Sequence, residues 1–265
     1  MLVYIRGAGD LASGIAVRLY RAGFSIVMSE LPVPSSVRRS VCFSEAVRLG
    51  EAGVEGILAR RAETKEAAMD IVAAGSIAVL PDPDGKICRS LQPAAEVDAI
   101  LAKRNTGTTM EDAPVVIGVG PGFTAGTDCH AVIETKRGHT LGRVLYTGSA
   151  IPNTGIPGNI GGFTTERVLR APQDGIFHPE RTFGDLVKKG EQVANVDGMP
   201  VYAEIDGMIR GMLQDGIFVS KGMKSGDIDP RGRAADYTTV SDKALAVGGG
   251  VLEAILGLSG VLGKL

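Results

Sequence analysis

The chain has 265 residues, 44% of them apolar and 22% charged, with a formal net charge of −2. That is an ordinary globular composition, long enough for about two domains, and its charge gives no electrostatic reason to bind nucleic acid or an anionic membrane. Its three cysteines, Cys42, Cys88 and Cys129, form no C-x-x-C pair, which argues against a zinc knuckle or disulfide framework and fits a cytoplasmic protein.

The N-terminus enters a strand at residues 2–5, with no charged and apolar leader of the kind a signal peptide needs. Arg6-Gly-Ala-Gly-Asp-Leu-Ala-Ser-Gly14 follows, then a helix over 15–22 that Gly23 ends, then a strand over 25–28 with Glu30 just past it. This is a strand, a glycine loop, a helix, a second strand and an acid. Gly7 permits a tight turn, Gly9 lets backbone N–H groups approach a phosphate, and Ser13 and Gly14 lie in the helix that follows. Glu30 is placed to accept from a ribose hydroxyl. The alternative is that these glycines only pack helix on strand. Asp10 points away from an ordinary dinucleotide, because an acid beside the loop repels phosphate unless a cation such as Arg6 offsets it.

Alternation continues, with strands read at 40–43, 54–58, 77–80 and 97–101 and helices at 45–49 and 64–74. Such alternation predicts an α/β fold, a Rossmann-like, doubly wound, mainly parallel sheet over residues 1–106. Ligands bind outside the carboxyl ends of such strands. Arg38 and Arg39, the loop Asp82–Asp84 and Lys103-Arg104-Asn105 sit at those ends, each read as a solvated loop charge rather than a ligand contact, with the last the best placed for a contact.

Residues 107–165 read as a central β and loop segment. A buried strand over 115–119 breaks at Gly120-Pro-Gly122, a second strand runs over 131–135, and Lys136, Arg137, Gly138 and His139 make a turn. His130 and Glu134 would share one helix face, but Ala131-Val-Ile-Glu-Thr135 is β-branched and reads as a strand. Residues four apart in a strand are separated by roughly 13 Å, beyond the span of one metal, so no metal site is expected. Glu134 is instead placed within reach of Arg143 across a hairpin. Cys129 is either a reactive thiol or a small buried residue. The glycine-rich loop 151–163 is either an anion-friendly loop or a linker.

Residues 166–240 carry repeated Asp-Gly turns between short strands. They resemble the biotinyl/lipoyl-type barrel-sandwich hybrid, a small all-β fold in which a modified lysine sits on the central turn. That turn reads Val196-Asp-Gly-Met-Pro-Val201 here and has no lysine, so neither biotin nor lipoate is expected. Asp229 and Arg231 lie in the charged stretch that closes the module. The apolar tail 241–265 contains Glu253 and too many glycines for a membrane helix, and reads as a packed terminal helix.

Arg6-Gly-Ala-Gly-Asp-Leu-Ala-Ser-Gly14, Gly120-Pro-Gly-Phe-Thr-Ala-Gly126, Val132-Ile-Glu-Thr-Lys-Arg-Gly-His139, Asn153-Thr-Gly-Ile-Pro-Gly158 and Lys224-Ser-Gly-Asp-Ile-Asp-Pro-Arg231 together resemble the YqeB-type family associated with selenium-dependent molybdenum hydroxylases. The N-terminal half also looks like that of the XdhC-type maturation factors. The resemblance implies an accessory role in maturing the hydroxylase. The implied partners are the hydroxylase or its maturation machinery, with homo-oligomer formation left open. The implied ligand is a molybdenum-pterin dinucleotide or another nucleotide. Gly7, Gly9, Asp10, Ser13, Gly14, Glu30, Gly120, Gly122, Lys136, Arg137, His139, Asp229 and Arg231 are the expected contacts. The alternative is an NAD(P)-dependent oxidoreductase, which the absence of a Ser-Tyr-Lys-type set disfavours.

Overall fold

The structure is a computed structural model that describes residues 1–261. The chain divides into two compact units. The first comprises Met1–Pro34, Cys42–Thr154 and the stretch from Val240; the second comprises Ser35–Val41 and Gly155–Thr239.

The first unit is an α/β domain. Its strands are β1 (Leu2–Arg6), β2 (Ser25–Ser29), β3 (Glu51–Val54), β4 (Ile57–Arg61), β5 (Ile77–Leu80), β6 (Ala95–Asp98), β7 (Val115–Val119), β8 (Ala131–Ile133) and β9 (Val144–Leu145). Its helices are α1 (Asp10–Arg21), α2 (Glu45–Leu49), α3 (Lys65–Ala73), α4 (Lys86–Ser90) and α5 (Asp242–Ser259). The strands form one sheet in the order β3-β4-β5-β2-β1-β6-β7-β8-β9. All neighbours pair parallel except the β3–β4 and β8–β9 edges. β5, β6 and β7 are buried along their whole length; β5 and β7 are continuous apolar runs, as strands are when both faces of a parallel sheet are covered, while β6 buries Glu96 and Asp98. The order reverses at β1, which has β2 on one side and β6 on the other. Their registers set Arg6 level with both Ser29 and Asp98, so the carboxyl ends of β1 and β6 open onto the same crevice.

Helix ends follow the local sequence. Gly23, at φ 89°, supplies the left-handed residue that stops α1. Thr64 caps α3 by accepting from the Ala67 N–H, and Ser241 caps α5 by accepting from the Ala244 N–H.

Three local expectations are corrected, and one helix was not foreseen. Residues 40–43 are no strand: Arg39–Val41 is a 3₁₀ turn, and the Phe43 and Ser44 N–H groups go to Ser13 Oγ and the Ala8 carbonyl rather than to a ladder. A short apolar run does not distinguish those two cases. Residues 54–58 are not one strand but the β3–β4 hairpin, turned at Glu55 and Gly56, both at positive φ. The strand read at 97–101 ends at Asp98, and Leu101 takes φ 61°. Helix α4 lies where no element was read; its first turn is capped by Asp82, whose carboxylate accepts from the Lys86 and Cys88 N–H groups.

The second unit is all antiparallel β: β10 (Val168–Arg170), β11 (Gly175–Pro179), β12 (Leu186–Val187), β13 (Gln192–Val196), β14 (Met199–Tyr202), β15 (Gly207–Met212), β16 (Ile217–Val219) and β17 (Lys224–Asp229). They make two four-stranded sheets, β10-β17-β15-β12 and β14-β13-β11-β16. Phe177, Val193, Val196, Ile209, Leu213, Val219 and Ile228 form the core, with Val37 of the 35–41 segment packed on it. The Asp197-Gly198 turn joins β13 to β14 with φ 45° and 83°, a two-residue turn of the primed type that matches strand twist.

A candidate anion-binding site

The site is built from the glycine loop upward. Gly7 sits at φ 98°, and a Cβ there would lie 3.2 Å from the Ala99 carbonyl and the Ile100 nitrogen. It therefore serves both the turn and the close approach of the loop after β6. Gly9 is the N-cap of α1 and offers no side chain to the first turn. The leading N–H groups of a helix have no partner inside it and carry partial positive charge. An uncapped helix start at the reversal of a parallel sheet is a ready anion site.

Several expected contacts hold the loop itself. Ser13 is fully buried; its Oγ donates to the Ala8 carbonyl at 3.1 Å and accepts the Phe43 N–H at 2.8 Å. Gly14 lets α5 approach, since a Cβ there would overlap the Cβ of Ala244. Glu30 accepts the Ala8 N–H on one oxygen at 3.0 Å and the Leu31 N–H on the other at 2.8 Å. Burial holds its carboxyl above the usual range, against those two hydrogen bonds. Arg6 is committed too: it donates to Asp98, Thr106 and Thr108, each at 3.1 Å, and Thr108 also donates to Asp98 at 2.6 Å. Gly122 faces the same loop, where a Cβ would lie 2.6 Å from the Arg104 nitrogen, and Gly120 faces Thr135.

The remaining charges come from β8 and α5. Glu134 is nearly buried and ties two segments, accepting from the Lys136 N–H at 2.7 Å and the Ile151 N–H at 2.9 Å. Its link to Arg143 is through backbone, the Glu134 N–H donating to the Arg143 carbonyl. Lys136, Arg137 and His139 are exposed on the turn. Arg137 reaches back to Asp242 in a two-pronged pair at 2.7 and 2.8 Å. The adjacent residue, Lys243, occupies the first turn of α5 half-buried. Burial and then the neighbouring Arg137 push its ammonium below the usual lysine range; Lys103 adds to this, while Asp10 and Glu134 oppose it. Arg137, Lys103, Asp10 and Glu134 are thus the charges that act on Lys243. Sequence reading placed Asp10, Arg137 and Lys103 but missed Lys243. The available signal was a lysine in the first turn of an apolar helix, where the dipole disfavours a cation.

Asp229 and Arg231 belong to the second unit, in a line of alternating charge. Arg167 pairs with Asp227, Arg210 bridges Asp227 at 2.8 Å and Asp229 at 3.3 Å, and Arg231 holds Asp229 at 2.7 Å. Burial would raise the Asp229 carboxyl, but hydrogen bonds from Arg231 and the charge of Arg210 keep it below the usual range.

Cys129 is buried, and burial raises its thiol to about 11, so it is protonated at neutral pH. His130 accepts the Val116 N–H on Nδ1 at 3.0 Å. Among the described residues no three His, Cys, Asp or Glu side chains stand close enough to hold a metal, and no helix is long and apolar enough to cross a membrane.

No protein-family model matches the chain. It is 54% identical over 255 residues to the uncharacterized protein YqeB of Escherichia coli, an alignment covering 96% of this chain and 47% of YqeB. The chain therefore spans about half the length of the curated relative it matches. Among solved structures, an aspartoacylase family protein of Mesorhizobium loti aligns with 86% of this chain and 84% of its own, at 12% identity and a TM-score of 0.29. A succinylglutamate desuccinylase/aspartoacylase of Rhodobacter sphaeroides covers the same shares at 14% identity and 0.26. The ectoine utilization protein EutE of Ruegeria pomeroyi covers 86% of this chain and 57% of its own at 10% identity and 0.23. Likeness at these scores carries no argument about fold or activity.

Proposed function

The chain is a homologue of YqeB, and from that premise we propose that it is a cytoplasmic accessory factor of a selenium-dependent molybdenum hydroxylase. In this reading it binds a phosphate-bearing cofactor, a molybdenum-pterin or another nucleotide, and hands it to the hydroxylase or its maturation machinery. The first unit is a Rossmann-like doubly wound domain and the second a barrel-sandwich hybrid that serves for docking and carries neither biotin nor lipoate. Nucleic acid is not a partner.

The observation that carries the reading is the uncapped start of α1 at the reversal of the sheet, to which we assign the cations Lys103, Arg137 and Lys243. Amides of the first turn would take the phosphate, and the cations would balance it against Asp10. Glu30 weighs against the nicotinamide alternative. Its oxygens hold the Ala8 and Leu31 N–H groups, turned toward the glycine loop, where a dinucleotide site wants a carboxylate open to a ribose. The surrounding loops would shield a labile ligand from water, and no group in the site is required to turn it over.

The test is the ligand that copurifies from a host making molybdenum cofactor, identified by mass spectrometry, in the wild type and in Gly9→Val. We expect a phosphate-bearing pterin or nucleotide in the wild type and at least about tenfold less in the folded variant, because a branched Cβ blocks close backbone approach. Retention of nicotinamide dinucleotide, or equal ligand in both proteins, refutes the proposal.

A further inference from the structure

We propose that β16 is a self-association edge. Two copies of this chain pair β16 to β16, antiparallel, across a two-fold axis at Phe218, and join two four-stranded sheets into one of eight strands. The surface lies wholly within the second unit and does not depend on the ligand reading above. β16 is the last strand of its sheet, paired with β11 on one side and with no described strand on the other. A strand so placed leaves half of its backbone N–H and C=O groups facing outward, a template for another strand. The opposite edge strand, β14, has one donor fewer, because Pro200 carries no N–H.

The order of the residues selects a second copy as the occupant. Asp215-Gly-Ile-Phe-Val-Ser-Lys221 is complementary to its own reverse. Set antiparallel about Phe218, Asp215 meets the partner's Lys221, Gly216 the partner's Ser220, Ile217 the partner's Val219, and Phe218 its own counterpart. Opposite charges then face each other twice, once at each end of the seam. A parallel pairing in the same register would set acid on acid and amine on amine. Burial agrees with this arrangement. Ile217 and Val219 point into the core of their own unit. Phe218 is 61% exposed, the most exposed aromatic side chain among the described residues. It stands opposite Ile176 of β11 on the outer face, so the joined sheet would carry one apolar stripe of both residues from both copies. The end charges are exposed and held in place. Asp215 lies 2.7 Å from His178 Nδ1, and the Lys221 N–H donates to Asp174 at 2.7 Å. So short a seam buries less than the roughly 1,200 Å² of a stable interface, so the dimer is reversible and forms at about 0.01–1 mM.

Sedimentation equilibrium of the full chain, up to millimolar concentration, is the test. We expect a wild-type dimer that Phe218→Lys weakens at least about tenfold. Asp215→Lys and Lys221→Asp should each weaken it about two- to tenfold, because each sets like charges together at both ends. The double variant D215K/K221D should return to within about twofold of the wild type, a rescue that a merely structural role for either residue does not give. Hydrogen exchange on the wild type alone is the second measurement, and it holds even where a variant fails to fold. Amides of residues 217–219 should gain protection as concentration rises, while those of β14 stay unchanged. A wild type that stays monomeric leaves the edge to a strand of some other protein and overturns the inference. So does a dimer that Phe218→Lys leaves intact, a charge swap that does not restore association, or a dimer with no added protection at β16.

Discussion

The seating of α5 on the end of the sheet depends on a close approach that two adjacent glycines test against each other. Gly249 and Gly250 both lie inside α5. Nothing stands within 4 Å of a Cβ added at Gly249, whereas a Cβ at Gly250 would overlap the Gly142 carbonyl oxygen and approach Ile133 at 3.1 Å. Replacing either by alanine brings the same gain in helix propensity, about 0.5–1 kcal/mol. Only Gly250→Ala also forces a methyl against backbone, and Gly142 is itself fixed at φ 78° under Ala246, so the neighbour has little room to yield. Overpacking of that kind costs about 1–3 kcal/mol. The propensity gain cancels between the variants, so the first unit of Gly250→Ala should melt roughly 2–12 °C below that of Gly249→Ala, at about 2–4 °C per kcal/mol for a unit of this size. Gly249→Ala itself should melt slightly above the wild type. Calorimetry, with tryptic mapping to assign the transition to the first unit, measures both. Equal melting temperatures would show that α5 does not pack against Gly142 through this face.

Three further outcomes are expected. The depressed Asp229 carboxyl adds stability to the second unit that is present above its unfolded value of about 4 and is lost as pH falls through the folded one; Asp229→Asn should flatten that acid limb in a urea–pH series, and an unchanged limb would contradict the pairing with Arg231 and Arg210. All three cysteines are buried, so a thiol reagent should titrate far less than one equivalent in the native protein and three in denaturant; rapid reaction of Cys129 in the native state would restore it as a reactive group. At the β13–β14 turn, Gly198 adopts φ 83°, so Gly198→Val should destabilise the second unit by about 1–2 kcal/mol; an unshifted urea midpoint would mean the turn relaxes to another type.

What the sequence made legible is what local pattern controls. The apolar runs of β1, β5 and β7, the glycine that stops α1 and the Asp-Gly turns of the second unit all follow from side chains within a few residues. The β3–β4 hairpin was missed because Glu-Gly is a weaker turn signal than Asn-Gly or Asp-Gly. Residues 40–43 misled because burial of Phe43 and Cys42 in a coil gives the same apolar run as a strand. The candidate site was legible as far as the glycine loop, Asp10, Lys103 and Arg137. Lys243 was not, because its importance arises from a contact between residues 14 and 244 that no local period encodes. Ser13 and Glu30 read as ligand contacts, Glu30 as an acceptor from a ribose hydroxyl; their hydrogen bonds to the Ala8 carbonyl and the Ala8 N–H tie them to the glycine loop, a pairing across distant residues that no local pattern encodes.

The order of segments along the chain has a consequence in time. The first unit begins at Met1, yet its last element, α5, follows the whole of the second unit. At about 5–20 residues per second, residues 155–239 take roughly 4–17 s to synthesise, during which the sheet of the first unit exists without the helix that brings Lys243 to it. The glycine loop is therefore made early and the amine late. A nascent chain arrested within the second unit would present the glycine loop without α5.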